Sequence, residues 1–123
     1  MFKDYAQCQI TILPVRNFKE SLEFYKNVLG FDVAWIWDDE GYGAVHCGGV
    51  EIHLDKQDVI HPYQSYLFVN DVDVIYAWYR DQGVRIVKEI ESKPWNVREF
   101  TFEDINGHLF RVASNEENDT RTK

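Results

Sequence analysis

The first half of the chain passes from strand-like alternation to helix-like spacing and back. Residues 7–15 are rich in β-branched side chains that point to alternating sides, which favours a strand. Leu22, Tyr25 and Leu29 then recur at helical spacing, and they predict a helix from Phe18 to about Val28. Three further strands are predicted after this helix, over residues 31–37, 42–47 and 50–56.

The second half repeats this order of elements. A strand over 64–69 precedes a helix over 72–82, and a strand over 84–90 precedes a closing hairpin over 93–113. Residues 15–18 align with residues 69–72, so that Asn17 and Asp71 are the two predicted N-caps. Two βαβββ halves are the simplest account, and chance similarity of two amphipathic helices is the alternative.

The closing hairpin has two chemically different faces. Phe100 and Phe102 point to one side of its first strand, and Glu99 and Thr101 point to the other. Residues 104–107 contain an Asn-Gly pair that tolerates the turn conformation. The apolar face must lie on a core, so the other face must meet water or a ligand.

Composition limits the class of protein. A chain of 123 residues with 45% hydrophobic residues fits a single compact domain. No apolar run approaches the ~20 residues that span a bilayer, and the N-terminus lacks an apolar signal segment. We therefore expect a cytoplasmic protein without membrane contact, in which Cys8 and Cys47 are free thiols.

Charge argues against nucleic acid as a partner. Thirteen Lys and Arg residues stand against 21 Asp and Glu residues, which gives a net charge of −8, whereas nucleic-acid binding depends on basic contacts to phosphate. The acidic balance suits a cationic partner, or serves solubility alone. Aromatic residues make up 15% of the chain, so some of them are expected at a surface or a pocket.

Several motifs resemble one known superfamily. Residues 12–17 and 24–31 are similar to its opening motif, and Pro94-Trp95, Arg98-Glu99-Phe100 and residues 104–107 are similar to its C-terminal motif. This is the glyoxalase / bleomycin-resistance / extradiol-dioxygenase (vicinal oxygen chelate) superfamily, and the C-terminal motif is similar to that of its bleomycin-binding branch. The chain departs from that motif at Asn96-Val97, at Ile105 and at His108.

The resemblance implies an α+β fold, in which two tandem βαβββ modules form a curved mixed sheet around a cavity. It places a single domain over residues 1–123, with module one at about 7–57, module two at about 64–114 and a polar tail at 115–123. In the bleomycin-binding branch it also implies a homodimer with ligand crevices at the subunit boundary.

Enzymes of this superfamily mostly hold a divalent metal with His and Glu side chains from four strands. The matching positions here are Ile10, then Glu51 or His53, then Gln64, and finally Arg111. Isoleucine cannot ligate a metal, and the arginine cation repels one. We therefore expect no metal site of the usual form, no cofactor and no catalytic residue.

The resemblance instead implies a binding protein. An aromatic and acidic crevice suits a flat cationic ligand, because rings stack and carboxylates neutralise charge. A bleomycin-like glycopeptide antibiotic is the expected ligand. The candidate ligand-binding residues are Trp35, Trp37, Asp38, Asp39, Glu51, His53, Gln64, Tyr66, Phe68, Trp95, Glu99 and Arg111.

Two alternatives stay open at this point. One is a glyoxalase- or dioxygenase-like enzyme with an incomplete metal site that uses Glu51, His53 or Glu99, or with metal-free acid–base chemistry. The other is a dimeric accessory module whose cleft is plugged by Tyr66, Phe68 and Trp37.

Overall fold

The computed structural model of the chain describes residues 1–116. They form two compact units, module one from Met1 to Val59 and module two from Ile60 onward. After a short 3-10 turn at Phe2–Asp4, module one contains β1 Thr11–Val15, α1 Phe18–Glu23, a π-helical turn Phe24–Val28, β2 Asp32–Asp38, β3 Tyr42–Cys47 and β4 Val50–Lys56. Module two contains β5 Gln64–Phe68, α2 Val72–Asp81, β6 Arg85–Ser92, β7 Val97–Glu103 and β8 Leu109–Asn115.

Each module builds a four-stranded mixed sheet with the same topology. The order is β1-β4-β3-β2 in module one and β5-β8-β7-β6 in module two. In both, the first strand runs parallel to the last one, and the remaining pairs are antiparallel. The predicted α+β fold of two tandem βαβββ modules is therefore confirmed, with one sheet in each module. No helix within residues 1–116 is long and apolar enough to cross a membrane.

Both predicted N-caps are present. The Asn17 side chain accepts a hydrogen bond from the Glu20 amide at 2.9 Å, and the Asp71 side chain accepts one from the Val74 amide at 3.4 Å. Gly83 follows α2 with a φ of 77°, a left-handed conformation that glycine adopts without a Cβ penalty. The local sequence thus sets where these helices begin and where α2 ends.

One face of each sheet packs against its helix, and the other face, called the open face below, carries more of the exposed side chains. Leu13 is buried, whereas its neighbour Ile12 on the opposite face of β1 is 45% exposed. In module two, Phe102 stacks on Phe110 at 5.0 Å between ring centroids and meets Tyr79 of α2 edge-on. The core of each module therefore lies on the helix side, which leaves the opposite strand faces for function.

The ends of the elements differ from the sequence prediction in places. β1 begins at Thr11, later than the predicted residue 7. The sequence predicts that the polar tail begins at Asn115, but this residue is the last one of β8, and the Glu116 amide donates to the Asn96 carbonyl at 3.1 Å. The remaining predicted tail, 117–123, lies outside the described residues.

Gly43 of β3 gives a direct test of packing in module one. A Cβ at this position would meet the Phe18 ring at 2.8 Å and the Trp35 carbonyl oxygen at 3.1 Å. Because Phe18 is buried and the carbonyl belongs to the backbone, Gly43→Ala should lower the free energy of unfolding by about 1–3 kcal/mol. Urea denaturation measures this change.

Gly49→Ala is the matched control, since nothing lies within 4 Å of its added Cβ. We expect a change of no more than about 0.5 kcal/mol there. If both variants lowered the free energy of unfolding equally, Phe18 would not be packed tightly against β3.

Candidate functional site

The open face of module two is organised around a partly buried ion pair. Arg111 of β8 lies beside Tyr66 of β5 and Thr101 of β7 in the sheet register. Its Nε donates to Glu99 Oε2 at 3.0 Å and its Nη2 to Glu99 Oε1 at 3.3 Å. The Tyr66 hydroxyl donates to the same carboxylate at 2.6 Å, and the guanidinium lies 4.3 Å from the Tyr66 ring centroid. Three strands are thus joined by one carboxylate.

The carboxylate of Glu99 is buried. Glu99 is only 4% exposed, although the strand pattern alone is equally compatible with a solvated side chain. Burial by itself raises the pKa of Glu99, but the hydrogen bonds from Arg111 and Tyr66 outweigh it, and the pKa lies below its ordinary value. Burial and the bond to Glu99 raise the pKa of Tyr66. Glu99 is therefore held as an anion, and Tyr66 as a neutral donor.

The pH dependence of stability follows from the lowered pKa of Glu99. The ion pair stabilises the folded chain above the ordinary pKa of 4.5, and this stabilisation is lost as the pH falls through the lower folded-state value. Glu99→Gln should therefore be less stable than the native chain at neutral pH, and the difference should shrink below about pH 4.5. Urea midpoints across acidic pH measure it.

Glu40→Gln, in the exposed turn between β2 and β3, is the control and should leave the curve unchanged. A stability difference for Glu99→Gln that stays constant at all pH values would contradict the ionised pair.

A small cavity lies next to the ion pair. Its volume is about 260 Å³, and Trp95 forms part of its wall. Its lining residues are Gln64, Val87, Lys88, Lys93, Trp95, Glu99, Thr101, Leu109 and Arg111. Phe68 stands beside this group with its ring 4.9 Å from that of Tyr66. Four of the six candidates from module two line the cavity: Gln64, Trp95, Glu99 and Arg111. Tyr66 contacts this group through Glu99, and Phe68 contacts Tyr66.

The open face of module one carries a second polar and aromatic cluster. Tyr42 of β3 shares a hydrogen bond of 2.7 Å with His53 Nδ1, and His53 Nε2 lies 2.8 Å from Glu51 Oε2. Trp35 of β2 stacks on Tyr42 at 6.0 Å and meets His53 edge-on at 4.9 Å. Burial, followed by the charge of Asp55, raises the pKa of Tyr42. The cluster is an aromatic surface with two carboxylates at its side.

The other three candidates from module one do not join this cluster. Trp37 is 85% exposed at an irregularity in the β2–β3 register, and it makes no ring contact with another described residue. Asp38 accepts a hydrogen bond from the Glu40 amide in the turn, at 3.0 Å. Asp39 lines a groove with Phe18 and Ile36, on the helix side of the sheet.

The side chains at the superfamily's metal positions do not fit a metal. In module two, Gln64 stands at one position, and the guanidinium of Arg111 occupies the other while bonded to Glu99. In module one, Ile10 cannot ligate, and Glu51 and His53 bond to each other. Within residues 1–116, no three His, Cys, Asp or Glu side chains cluster in an arrangement that could hold a metal.

Sequence reasoning missed several residues of both clusters. Tyr42 carried no motif, but it lies across from Asp55 in the register, on the same strand face as Trp35 and His53. Thr101 shares its strand face with Glu99 and could have been found by the same alternation. Lys88 and Lys93 gave no signal, because they come from an irregular edge strand and the loop after it.

The comparisons with known proteins show the superfamily of this chain. The family model "Glyoxalase/Bleomycin resistance protein/Dioxygenase superfamily" matches residues 6–112, so the chain belongs to that superfamily. A curated relative, the uncharacterized protein YraH of Bacillus subtilis (strain 168), is 29% identical over 121 residues, covering 85% of this chain and 94% of the relative. The metallothiol transferase FosB of Staphylococcus epidermidis is 23% identical over 107 residues, covering 80% of this chain and 76% of FosB.

Solved structures support the same fold. TioX from Micromonospora sp. ML1 superimposes with a TM-score of 0.80 at 19% identity, covering 89% of this chain and 99% of TioX. The bleomycin-binding protein of Streptomyces verticillus, complexed with copper(II)-bleomycin, superimposes with a TM-score of 0.73 at 16% identity, covering 90% of this chain and 98% of that protein. At these identities the likeness concerns the fold alone.

Proposed function

We propose that this protein binds a small aromatic ligand without a metal, and that the ligand is a cationic glycopeptide of the bleomycin type. The observation that carries the proposal is the open face of module one. Trp35, itself 42% exposed, lies against Tyr42 and His53 there, and the carboxylates of Glu51 and Asp55 flank them. A flat cation gains stacking from the rings and Coulomb attraction from the carboxylates.

Two further observations support binding over metal-dependent catalysis. The position of a metal-binding Glu is taken by Arg111, a cation that pairs with Glu99. A protein that binds copper(II)-bleomycin has the same fold as this chain. A cytoplasmic homodimer is part of the proposal, as the resemblance to the bleomycin-binding branch implies.

The test is a titration with bleomycin, both metal-free and copper(II)-loaded, followed by tryptophan fluorescence on protein checked for bound metal. We expect saturable quenching that is equimolar with the chain, and none with a copper salt alone. Added salt should weaken binding, since the attraction between exposed charges is screened over about 8–10 Å. Absence of saturation with both forms would reject bleomycin as the ligand.

The competing function is an enzyme, because FosB is by its name a metallothiol transferase. That chemistry requires a bound metal, and the donor positions of this chain do not fit one. Elemental analysis of the purified protein separates the two hypotheses: equimolar divalent metal that survives dialysis would favour the enzyme and contradict metal-free sequestration.

A further inference from the structure

The charged residues that line the module-two cavity are mostly basic, whereas the chain as a whole is acidic. Its lining includes three cations, Lys88, Lys93 and Arg111, and one carboxylate, Glu99. The whole chain carries only 13 Lys and Arg residues against 21 Asp and Glu residues. Cations thus outnumber carboxylates in this lining, the reverse of their ratio in the whole chain.

Glu99 does not make the cavity attractive to cations. Both of its oxygens accept hydrogen bonds from Arg111, and Tyr66 adds a further bond. The bonds to Glu99 use Nε and Nη2 of Arg111, so the donors on Nη1 are not committed to the carboxylate. Lys93 is paired with Glu91, which is 64% exposed, lies outside the lining and also interacts with Lys88. Lys88, opposite Thr101 in the sheet register, is the third cationic residue of the lining.

The size of the cavity and the residues of its wall limit which ligands can bind. A volume of about 260 Å³ lies below the range of about 300–1,000 Å³ of sites for drug-sized molecules. Trp95, which is 45% exposed, offers an aromatic face at the wall, and Val87 and Leu109 add apolar surface. The Gln64 amide and the Thr101 hydroxyl supply neutral hydrogen-bonding groups.

We propose that this cavity binds a small aromatic carboxylate, with the ring against Trp95 and the carboxylate among Lys88, Lys93 and Arg111. This goes beyond the proposed function, because it concerns the other module and a ligand group of opposite charge. Arginine and lysine recognise carboxylates through charge-assisted hydrogen bonds, and burial beside an aromatic wall strengthens them.

The experiment is calorimetric titration of the intact chain with three probes of one shape: naphthoate, the neutral naphthalene carboxamide and the cationic naphthylmethylammonium. Naphthoate should bind about fivefold more tightly than the carboxamide, the effect of one partly exposed ion pair, and the ammonium should bind most weakly. Equal affinity for the three probes, or no heat from naphthoate at millimolar concentration, would overturn the proposal.

Lysine variants locate the binding site. Lys88→Gln and Lys93→Gln should each weaken naphthoate about two- to fivefold and leave the carboxamide unchanged. Lys56→Gln is the matched control, because Lys56 is also paired with a carboxylate two positions away, Asp58, but belongs to module one. If Lys56→Gln lowered the affinity for naphthoate as much as Lys93→Gln does, naphthoate binding would depend on the net charge of the chain only.

The outcome is independent of the bleomycin test. Trp35→Ala changes module one and should leave naphthoate binding unaltered. Bleomycin binding without naphthoate binding would reject this inference and keep the proposed function. Naphthoate binding without bleomycin binding would keep this inference and reject bleomycin as the ligand.

Discussion

Arg111→Met should lower the free energy of unfolding by about 3 kcal/mol, the lower end of the loss on breaking a buried ion pair. The methionine keeps much of the side-chain volume but leaves Glu99, 4% exposed, without its cation. Tyr66 still donates to the carboxylate, and Arg111 itself is about one-third exposed, which together keep the loss from being larger. Urea denaturation at neutral pH measures the change.

Arg98→Met provides a closely matched control in the same module. Arg98 also donates through Nε to a carboxylate at 3.0 Å, that of Asp73 in α2, but there the side chains are 36% and 57% exposed. Such an exposed pair contributes only about 0.2–1 kcal/mol. If both variants lost the same stability, burial of Glu99 would have no energetic consequence, and the organisation of the module-two site would have to be reconsidered.

Trp35→Ala should weaken binding of bleomycin about tenfold, since stacking on one aromatic side chain contributes about 1–3 kcal/mol. The variant removes the ring that stacks on Tyr42 and faces His53. Because Trp35 is 42% exposed, folding should suffer less than binding does. Calorimetry is the suitable readout, since it does not depend on the tryptophan that is lost.

Trp78→Ala is the control for this prediction. Trp78 is 38% exposed, close to the value for Trp35, but it lies on α2 of module two and is tilted against Tyr79. Its removal should leave the affinity unchanged. An unchanged affinity in Trp35→Ala as well would exclude the open face of module one as the binding surface.

The difference between the two modules explains why the site was harder to predict than the fold. The twelve candidate residues were chosen as one acidic and aromatic set, but each module arranges its own share separately. Asp38 and Asp39, the acidic pair of that set, are used in a turn and in a groove on the helix side. Glu51, with Asp55 close to Tyr42, supplies the negative charge beside the rings.

The register of β2 is one physical reason for this difference. Alternation places Trp35 and Trp37 on one face only in a regular strand. The β2–β3 pairing shifts between Val33 and Trp35 and again between Ile36 and Asp38, so Trp37 does not follow Trp35 into the cluster. Such bulges depend on how the partner strand is held, which the pattern of a single strand does not contain.

Local patterns in the sequence were enough to predict the order of the elements, their division into two βαβββ halves and the helix caps at Asn17 and Asp71. Those features depend on side-chain period and on contacts within a few residues, and both can be counted along the chain. The resemblance to the superfamily further predicts that Ile10, Gln64 and Arg111 stand at positions where its enzymes place metal ligands.

The contacts of these side chains depend on how the strands are aligned in each sheet. Glu99 and Arg111 lie on neighbouring strands and Tyr66 on a third, so their ion pair and hydrogen bond exist only once β5, β8 and β7 are aligned. In module one, the contacts among Tyr42, His53 and Trp35 likewise form only once β2, β3 and β4 are aligned. Electrostatic and stacking energies depend on distances and burial across strands, and these are set by sheet register, which local patterns do not specify.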